Sequence, residues 1–333
     1  MSVMDISITP ILGSGIRYAV PLVLAAMGGL MSERSGTVDI GLEGKMLISA
    51  FTAATVAALL SADGSTMAPL LVMTLSVLAA IAASTFFALL HGFATISQKS
   101  DHVISGLAIN ILASGLTMFL GHAIFKQGGQ TPLLNDNLRF TRIVLPGAEA
   151  MKDIPFIGPF YSQVISGHHL LAYVAVLAVA VTAFILFRTR LGLHIRAVGE
   201  EPNAVDTAGL SVNRLRYTAL LWTGFMCGMS GITLSMAQNG GFVREMSAGM
   251  GYMALAAVIF GKWKPWPTLL ACFLFGLSTA LSDALSGRSI AGVQIPSQFF
   301  NALPYILTVI LLAGFVGKSI APKAVGRPYV KER

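Results

Sequence analysis

Two stretches of the chain concentrate the groups able to do polar chemistry. The first reads Ser32-Glu33-Arg34-Ser35-Gly36-Thr37-Val38-Asp39-Ile40-Gly41-Leu42-Glu43-Gly44-Lys45, with five charges and three glycines between two apolar runs. Glycine permits irregular backbone, and hydroxyls and carboxylates satisfy groups freed where a helix unwinds. Ionisable residues near membrane depth pair with one another or line a polar path. The competing reading is a plain cytoplasmic turn with solvated charges. The second stretch runs from Arg188 to Arg214 and contains Arg196-Ala-Val-Gly-Glu-Glu-Pro-Asn-Ala-Val-Asp-Thr-Ala-Gly209. Pro202 suits a first helical position, Glu200 and Glu201 sit where negative charge favours a helix start, and Gly209 stands where a C-terminal cap belongs. This predicts a short amphipathic helix in a basic loop. Its small residues Ala204, Ala208 and Gly209 permit close docking of another protein. The alternative is a surface loop carrying orienting charges.

Other motifs fail on spacing. Gly317-Lys318-Ser319 looks like the end of a phosphate-binding loop, but that loop needs a glycine five residues earlier, where Leu312 stands. No zinc-type spacing appears, no metal site or cofactor is expected, and His168-His169 at a helix start reads as interfacial. Cys227 and Cys272 lie in apolar runs and read as buried hydrophobes. No acid–base–nucleophile set clusters, so no catalytic residue is assigned and a membrane-embedded enzyme is disfavoured.

The elements that must position these residues follow from composition. Of 333 residues 55% are hydrophobic and 11% charged, with mean hydropathy +0.74. A soluble domain carries about 25% charged residues. This composition excludes a soluble enzyme, a disordered chain and a fibre. It predicts an all-α, polytopic transmembrane helical bundle of about 8–10 spans, given about 20 apolar residues per span. The apolar runs are Ile11–Met31, Met46–Ala62, Met67–Ile96, Val103–Phe125, Leu170–Phe187, Tyr217–Gln238, Gly249–Gly261, Trp266–Ser282 and Ala302–Val316. Met67–Ile96 is long enough to tilt or break. Gly249–Gly261 is too short to span alone. The first ten residues hold Asp5 and no Lys or Arg, so no cleaved signal peptide is expected.

The 22 basic residues outnumber 15 acidic ones, for a net charge of +7. Up to Phe187 there are 8 basic and 9 acidic residues, net −1; beyond it 14 and 6, net +8. Basic residues collect in cytoplasmic loops, which accounts for the excess without nucleic-acid binding. Placing residues 33–45, 98–101, 188–216, the Lys262/Lys264 turn and the 317–333 tail in the cytoplasm puts 15 of the 22 basic residues there. Residues 126–169, rich in proline, then form an external loop of a single 1–333 membrane domain, packed over the mouth of a bundle or serving as a docking surface. A faint internal repeat pairs Gly28–Gly44 with Asn239–Gly251, each Gly-rich and leading into an apolar helix.

Glu33–Gly44 and Arg196–Gly209, together with Met250-Gly-Tyr-Met-Ala-Leu-Ala-Ala-Val-Ile-Phe-Gly-Lys-Trp263, resemble a permease subunit of a bacterial ABC importer. The superfamily is that of the ribose-type and branched-chain amino acid permeases, and the likeness covers nearly the whole chain. Within it the first motif most resembles the smaller permease of nucleoside (simple sugar) uptake systems. Asp39 departs from the Asn expected in many relatives, which leaves the fold reading intact and bears on the ligand.

The resemblance implies a multi-pass subunit of the bacterial cytoplasmic (inner) membrane that does not hydrolyse ATP. It implies three partners within the lipid bilayer system: a second, larger permease, an ABC ATPase with two nucleotide-binding domains, and an extracytoplasmic solute-binding protein. Residues Gly199, Glu200, Glu201, Pro202, Ala204, Asp206, Ala208 and Gly209 would form the helix coupled to the ATPase. For the path, the polar candidates are Ser35, Asp39, Glu43, Asn110, Gln238 and Asn239, since carboxylates and amides suit ribose hydroxyls and base edges. Each could instead make an ordinary helix–helix hydrogen bond, and for Asn110 that bland role is favoured. The solute implied is a purine nucleoside, with a sugar or nucleobase next. The residues alone leave open a self-sufficient ion-coupled transporter using Asp39 or Glu43.

Overall fold

The computed structural model describes residues 8–62, 67–148, 154, 157–286, 289–290, 293–294, 302, 306 and 320–331. Eleven helices in the described residues carry the architecture. They are α1 (Ile8–Arg34), α2 (Leu42–Leu60), α3 (Pro69–Gly92), α4 (His102–Phe125), α5 (Ile157–Phe160), α6 (Leu170–Arg188), α7 (Arg190–Glu200), α8 (Pro202–Thr207), α9 (Val212–Ile232), α10 (Met250–Phe260) and α11 (Pro265–Leu285). Seven of them, α1 to α4, α6, α9 and α11, are long and apolar enough to cross a membrane, counting the π-helical turns that end α3 and α9. The chain is therefore a multi-pass α-helical membrane protein. Eight of the nine apolar runs coincide with these seven helices and with the short α10. The ninth, Ala302–Val316, lies outside the described residues except at Ala302 and Ile306, as does Gly317-Lys318-Ser319.

Helices α1, α2 and α9 form the buried centre, while α3 and α4 are the most open. Small residues and hydroxyls let the central helices touch, as membrane packing requires. Thr223 Oγ1 donates to Gly28 O at 2.9 Å and Ser49 Oγ to Gly228 O at 2.7 Å. A Cβ on Gly231 would stand 2.3 Å from Met46 O, so only glycine admits α2 there. Pro21 lies inside α1 and has no N–H to give to Arg17 O. Gln238 Nε2 fills that vacancy, donating to Arg17 O at 2.7 Å. Cys227 and Cys272 are buried.

Residues 126–148 and 157–169 cross one end of the bundle. Two short strands, β1 (Arg142–Ile143) and β2 (His168–His169), pair antiparallel there, and a second two-residue pair, β3 (Ser289–Ile290) and β4 (Val293–Gln294), lies further on. Leu134 and Leu138 are buried beside Ile232 and Met236. His169 Nδ1 bonds Phe140 O at 2.5 Å and His168 Nε2 bonds Val164 O at 3.0 Å. Burial holds both imidazoles below their ordinary pKa range, against the opposing pull of these carbonyl contacts. Helices α7 and α8 lie at the opposite end.

Candidate functional site

The stretch 32–45 is not a solvated turn. Ser32, Glu33, Ser35, Thr37, Asp39, Glu43 and Lys45 are all buried. Its course follows from what it grips. Glu33 accepts a hydrogen bond from the Trp263 indole N–H, and Arg34 donates to Trp263 O at 2.8 and 3.0 Å. Trp263 stands just past the C-terminal end of α10. Glu43 holds the other end: its Oε1 accepts from Gly249 N at 2.8 Å and its Oε2 from Gly251 N at 2.6 Å. Helix α10 has 11 residues, about 16 Å at 1.5 Å per residue. Residues 35–41 therefore climb the length of α10 from the α7–α8 end into the bundle.

Glu43 neutralises orphan amides at the start of α10, where a carboxylate is favoured. Asn110 ties the same junction from α4. Its Oδ1 accepts from Gly44 N at 2.8 Å, and its Nδ2 donates to Ile40 O at 3.0 Å and to the Tyr252 hydroxyl at 2.9 Å. The two Gly-rich stretches of the faint repeat thus meet, Glu43 of one against Gly249 and Gly251 of the other.

Lys45 is fully buried in an ion pair with Asp39, and Asp39 Oδ1 lies 3.8 Å from His91 Nε2. His91 also bonds Val38 O at 3.2 Å, and Val38 N donates to His102 Nδ1 at 3.1 Å. Ser35 Oγ donates to Ser32 O at 2.6 Å. Of the six path candidates, Asp39, Glu43 and Asn110 lie in or beside this junction, Ser35 sits at the α7–α8 end of the stretch, and all four are engaged within the chain. Gln238 repairs the Pro21 break, and Asn239 is exposed at the far end of α9's π-helical turn. Lys45, His91, Tyr252 and Trp263 went unread as partners in the sequence. His91, an ionisable residue inside an apolar run, carried the signal that could have marked it.

At the other site, α8 begins with Pro202 in its first turn, and Gly209 follows it at φ +82°. The helix is pinned by Val205, which packs with Val198 and Val212. Asn203, Ala204, Thr207 and Ala208 face outward, as do Glu200 and Glu201. Gly199 is buried, and a Cβ there would stand 2.2 Å from Arg34 O. Asp206 pairs with Lys331 at 3.6 Å. The segment 320–331 straps this region: Ala324 N donates to Gly199 O at 2.9 Å, Gly326 N to Gly36 O at 3.0 Å, and Arg216 Nη1 to Arg327 O at 3.3 Å. A polar cleft of ≈ 390 Å³ opens beside α8, lined by Glu200, Glu201, Asn203, Lys323, Arg327 and Tyr329.

A model of the family described as branched-chain amino acid transport system / permease component matches residues 11–312. The guanosine ABC transporter permease protein NupQ of Bacillus subtilis is 41% identical over 318 residues, covering 94% of each chain. The nucleoside ABC transporter permease protein NupC of Lactococcus lactis subsp. cremoris is 38% identical over 318 residues, covering 95% of each. NupB of the same strain, also named a nucleoside ABC transporter permease protein, is 24% identical over 306 residues that cover 90% of this chain and 81% of NupB. With its clamped half-length helix and its bundle of membrane-crossing helices, the chain belongs to the branched-chain amino acid transport system / permease component family, and it is a permease subunit of an ABC transporter.

Proposed function

We propose that this chain forms half of the translocation path of an ATP-driven importer for a purine nucleoside in a bacterial cytoplasmic membrane. The full-length likeness to NupQ and NupC supports the solute class. The observation that carries the mechanism is α8, held to the body by Val205 while Ala204 and Ala208 stay open. Such a helix seats in a groove of an ATPase whose closure on ATP drags it. The drag passes from α7 through Gly199, against Arg34, into the 32–45 stretch and so to α10. The α7–α8 end is the cytoplasmic one, and residues 126–169 face the other side, where a solute-binding protein delivers cargo. A second, larger permease completes the path, in keeping with the greater length of NupB. Asp39 and Glu43 are already engaged within the chain, which weighs against their use as ion sites in a self-sufficient carrier.

Reconstitution with the partner chains tests this reading. Ala204→Trp and Ala208→Trp are cleaner probes than Gly199, whose substitution collides with the backbone. Each is expected to keep ATP hydrolysis and abolish ATP-dependent guanosine uptake. Unchanged uptake in both, or uptake by the single chain on an ion gradient without ATP, would refute the proposal.

A further inference from the structure

Residues 240–249 descend without a helix from beyond the end of α4 into the middle of the bundle, where α10 begins. At one end Thr131 N donates to Phe242 O at 3.1 Å and Phe242 N to Thr131 Oγ1 at 2.8 Å, just beyond the end of α4. At the other, Gly249 reaches Glu43, and Tyr252 reaches Asn110. Asn110 lies 15 residues before Phe125 on α4, about 22 Å along the helix axis. Between these anchors, Ser114 Oγ donates to the Glu245 carboxylate. Helix α4 has 24 residues, about 36 Å, which places Ser114 about 18 Å from either end.

Non-helical backbone at membrane depth persists only where it is buried in protein or lines water. This chain buries only part of it: Gly241, Phe242 and Ser247 are buried, but Val243, Arg244, Glu245 and Ala248 are exposed, and so is Tyr252. Among the described residues no cation stands within ion-pair distance of Glu245. Arg244 lines a separate groove together with Met118 and His122 of α4. An unpaired carboxylate at the bilayer centre against lipid is costly, and such groups face aqueous cavities.

We propose that Ser114, Glu245 and Tyr252 form the solute-facing wall of the translocation path at mid-membrane, with Arg244 and His122 above them. The wall suits a neutral, hydroxyl-rich solute: the Glu245 carboxylate accepts from hydroxyls, and the Tyr252 hydroxyl, already accepting from Asn110, keeps its proton to donate. This deepens the importer reading and rests on it.

Both native cysteines of this chain are fully buried, so labelling read on this chain reports the introduced thiols. In the assembled importer, Glu245→Cys and Ser114→Cys are expected to react with a membrane-impermeant, charged thiol reagent at least about tenfold faster than Leu177→Cys, which sits on the exposed face of α6. Transported nucleoside should slow that reaction. Rates no faster than Leu177→Cys in both nucleotide-free and ATP-bound complexes would overturn the wall. In parallel, Glu245→Gln should lower uptake at limiting solute about tenfold while ATP hydrolysis persists. Full uptake by that variant would also overturn it. Fast labelling slowed by a sugar but by no nucleoside would leave the wall standing and reject the nucleoside assignment instead.

Discussion

The Asp39–Lys45 pair is where the chain departs most from a generic apolar bundle. Both side chains are fully buried, and among the described residues His91 is the only other ionisable group within 4 Å of Asp39. Removing one member of a buried pair strands the other charge and costs about 3–5 kcal/mol, whereas removing both is far milder. Asp39→Asn and Lys45→Met should therefore each lower the thermal unfolding midpoint of the detergent-solubilised complex sharply, and the double variant should recover most of the loss. Simple addition of the two losses would show that the residues do not act as a pair. The sequence presented both charges but could not match them. Six residues apart, they face each other only because residues 35–41 climb beside α10 before α2 begins. Gln238 shows the same limit. Its amide type suits path chemistry as well as a helix–helix contact, and its Nε2 donates to the carbonyl that Pro21 leaves free 221 residues earlier.

At the scale of elements, apolar length was legible and helix interruption was not. The run Met67–Ile96 is long enough to tilt or break, and it stays one continuous helix over Pro69–Ser97 whose last turn, Phe93–Ser97, loosens to a π-helix. The short run Gly249–Gly261 becomes α10, a half-length helix whose two ends are held by one contiguous stretch of chain. Helix α7 precedes the one short helix that Pro202 signals. Its own signals are present: Thr189 Oγ1 caps Gly192 N at 3.1 Å, and Gly192, Ile195, Val198 and Gly199 fall on one buried face at helical spacing. The clamp on α10 yields a sharp expectation. A Cβ on Gly251 would stand 2.4 Å from Glu43 N, with no flexible group to move aside. Gly251→Val should push α10 off Glu43 and abolish uptake, and it should expose Glu43-adjacent amides to faster hydrogen exchange. Glu43→Gln keeps an acceptor oxygen and should be milder. Equal, near-normal uptake for both would mean that the clamp does not position the path.

The whole molecule joins these pieces through its last described segment. Residues 320–331 touch α7 at Gly199, the climbing stretch at Gly36 and α9 at Arg216. Arg216 is buried, and its Nη1 donates a hydrogen bond to the Arg327 carbonyl. The strap therefore fixes the α7–α8 end to the stretch that clamps α10, and α10 leads directly into the Glu245 wall. Small displacements at α8 reach the path only if this linkage is stiff, because packed elements transmit motion by shifting between discrete arrangements. Ala324→Pro removes the N–H given to Gly199 O and leaves the membrane helices untouched. The variant is expected to assemble, to hydrolyse ATP at a near-normal rate, and to move less solute per ATP. The ratio of uptake to hydrolysis in the reconstituted complex is the quantity to measure. A ratio equal to that of the parent would show that the strap only covers the surface, and that coupling runs through Gly199 and Arg34 alone. A parallel fall in uptake and hydrolysis would instead mark a docking defect at α8. A fall in the ratio alone is what a mechanical link between the two functional regions requires.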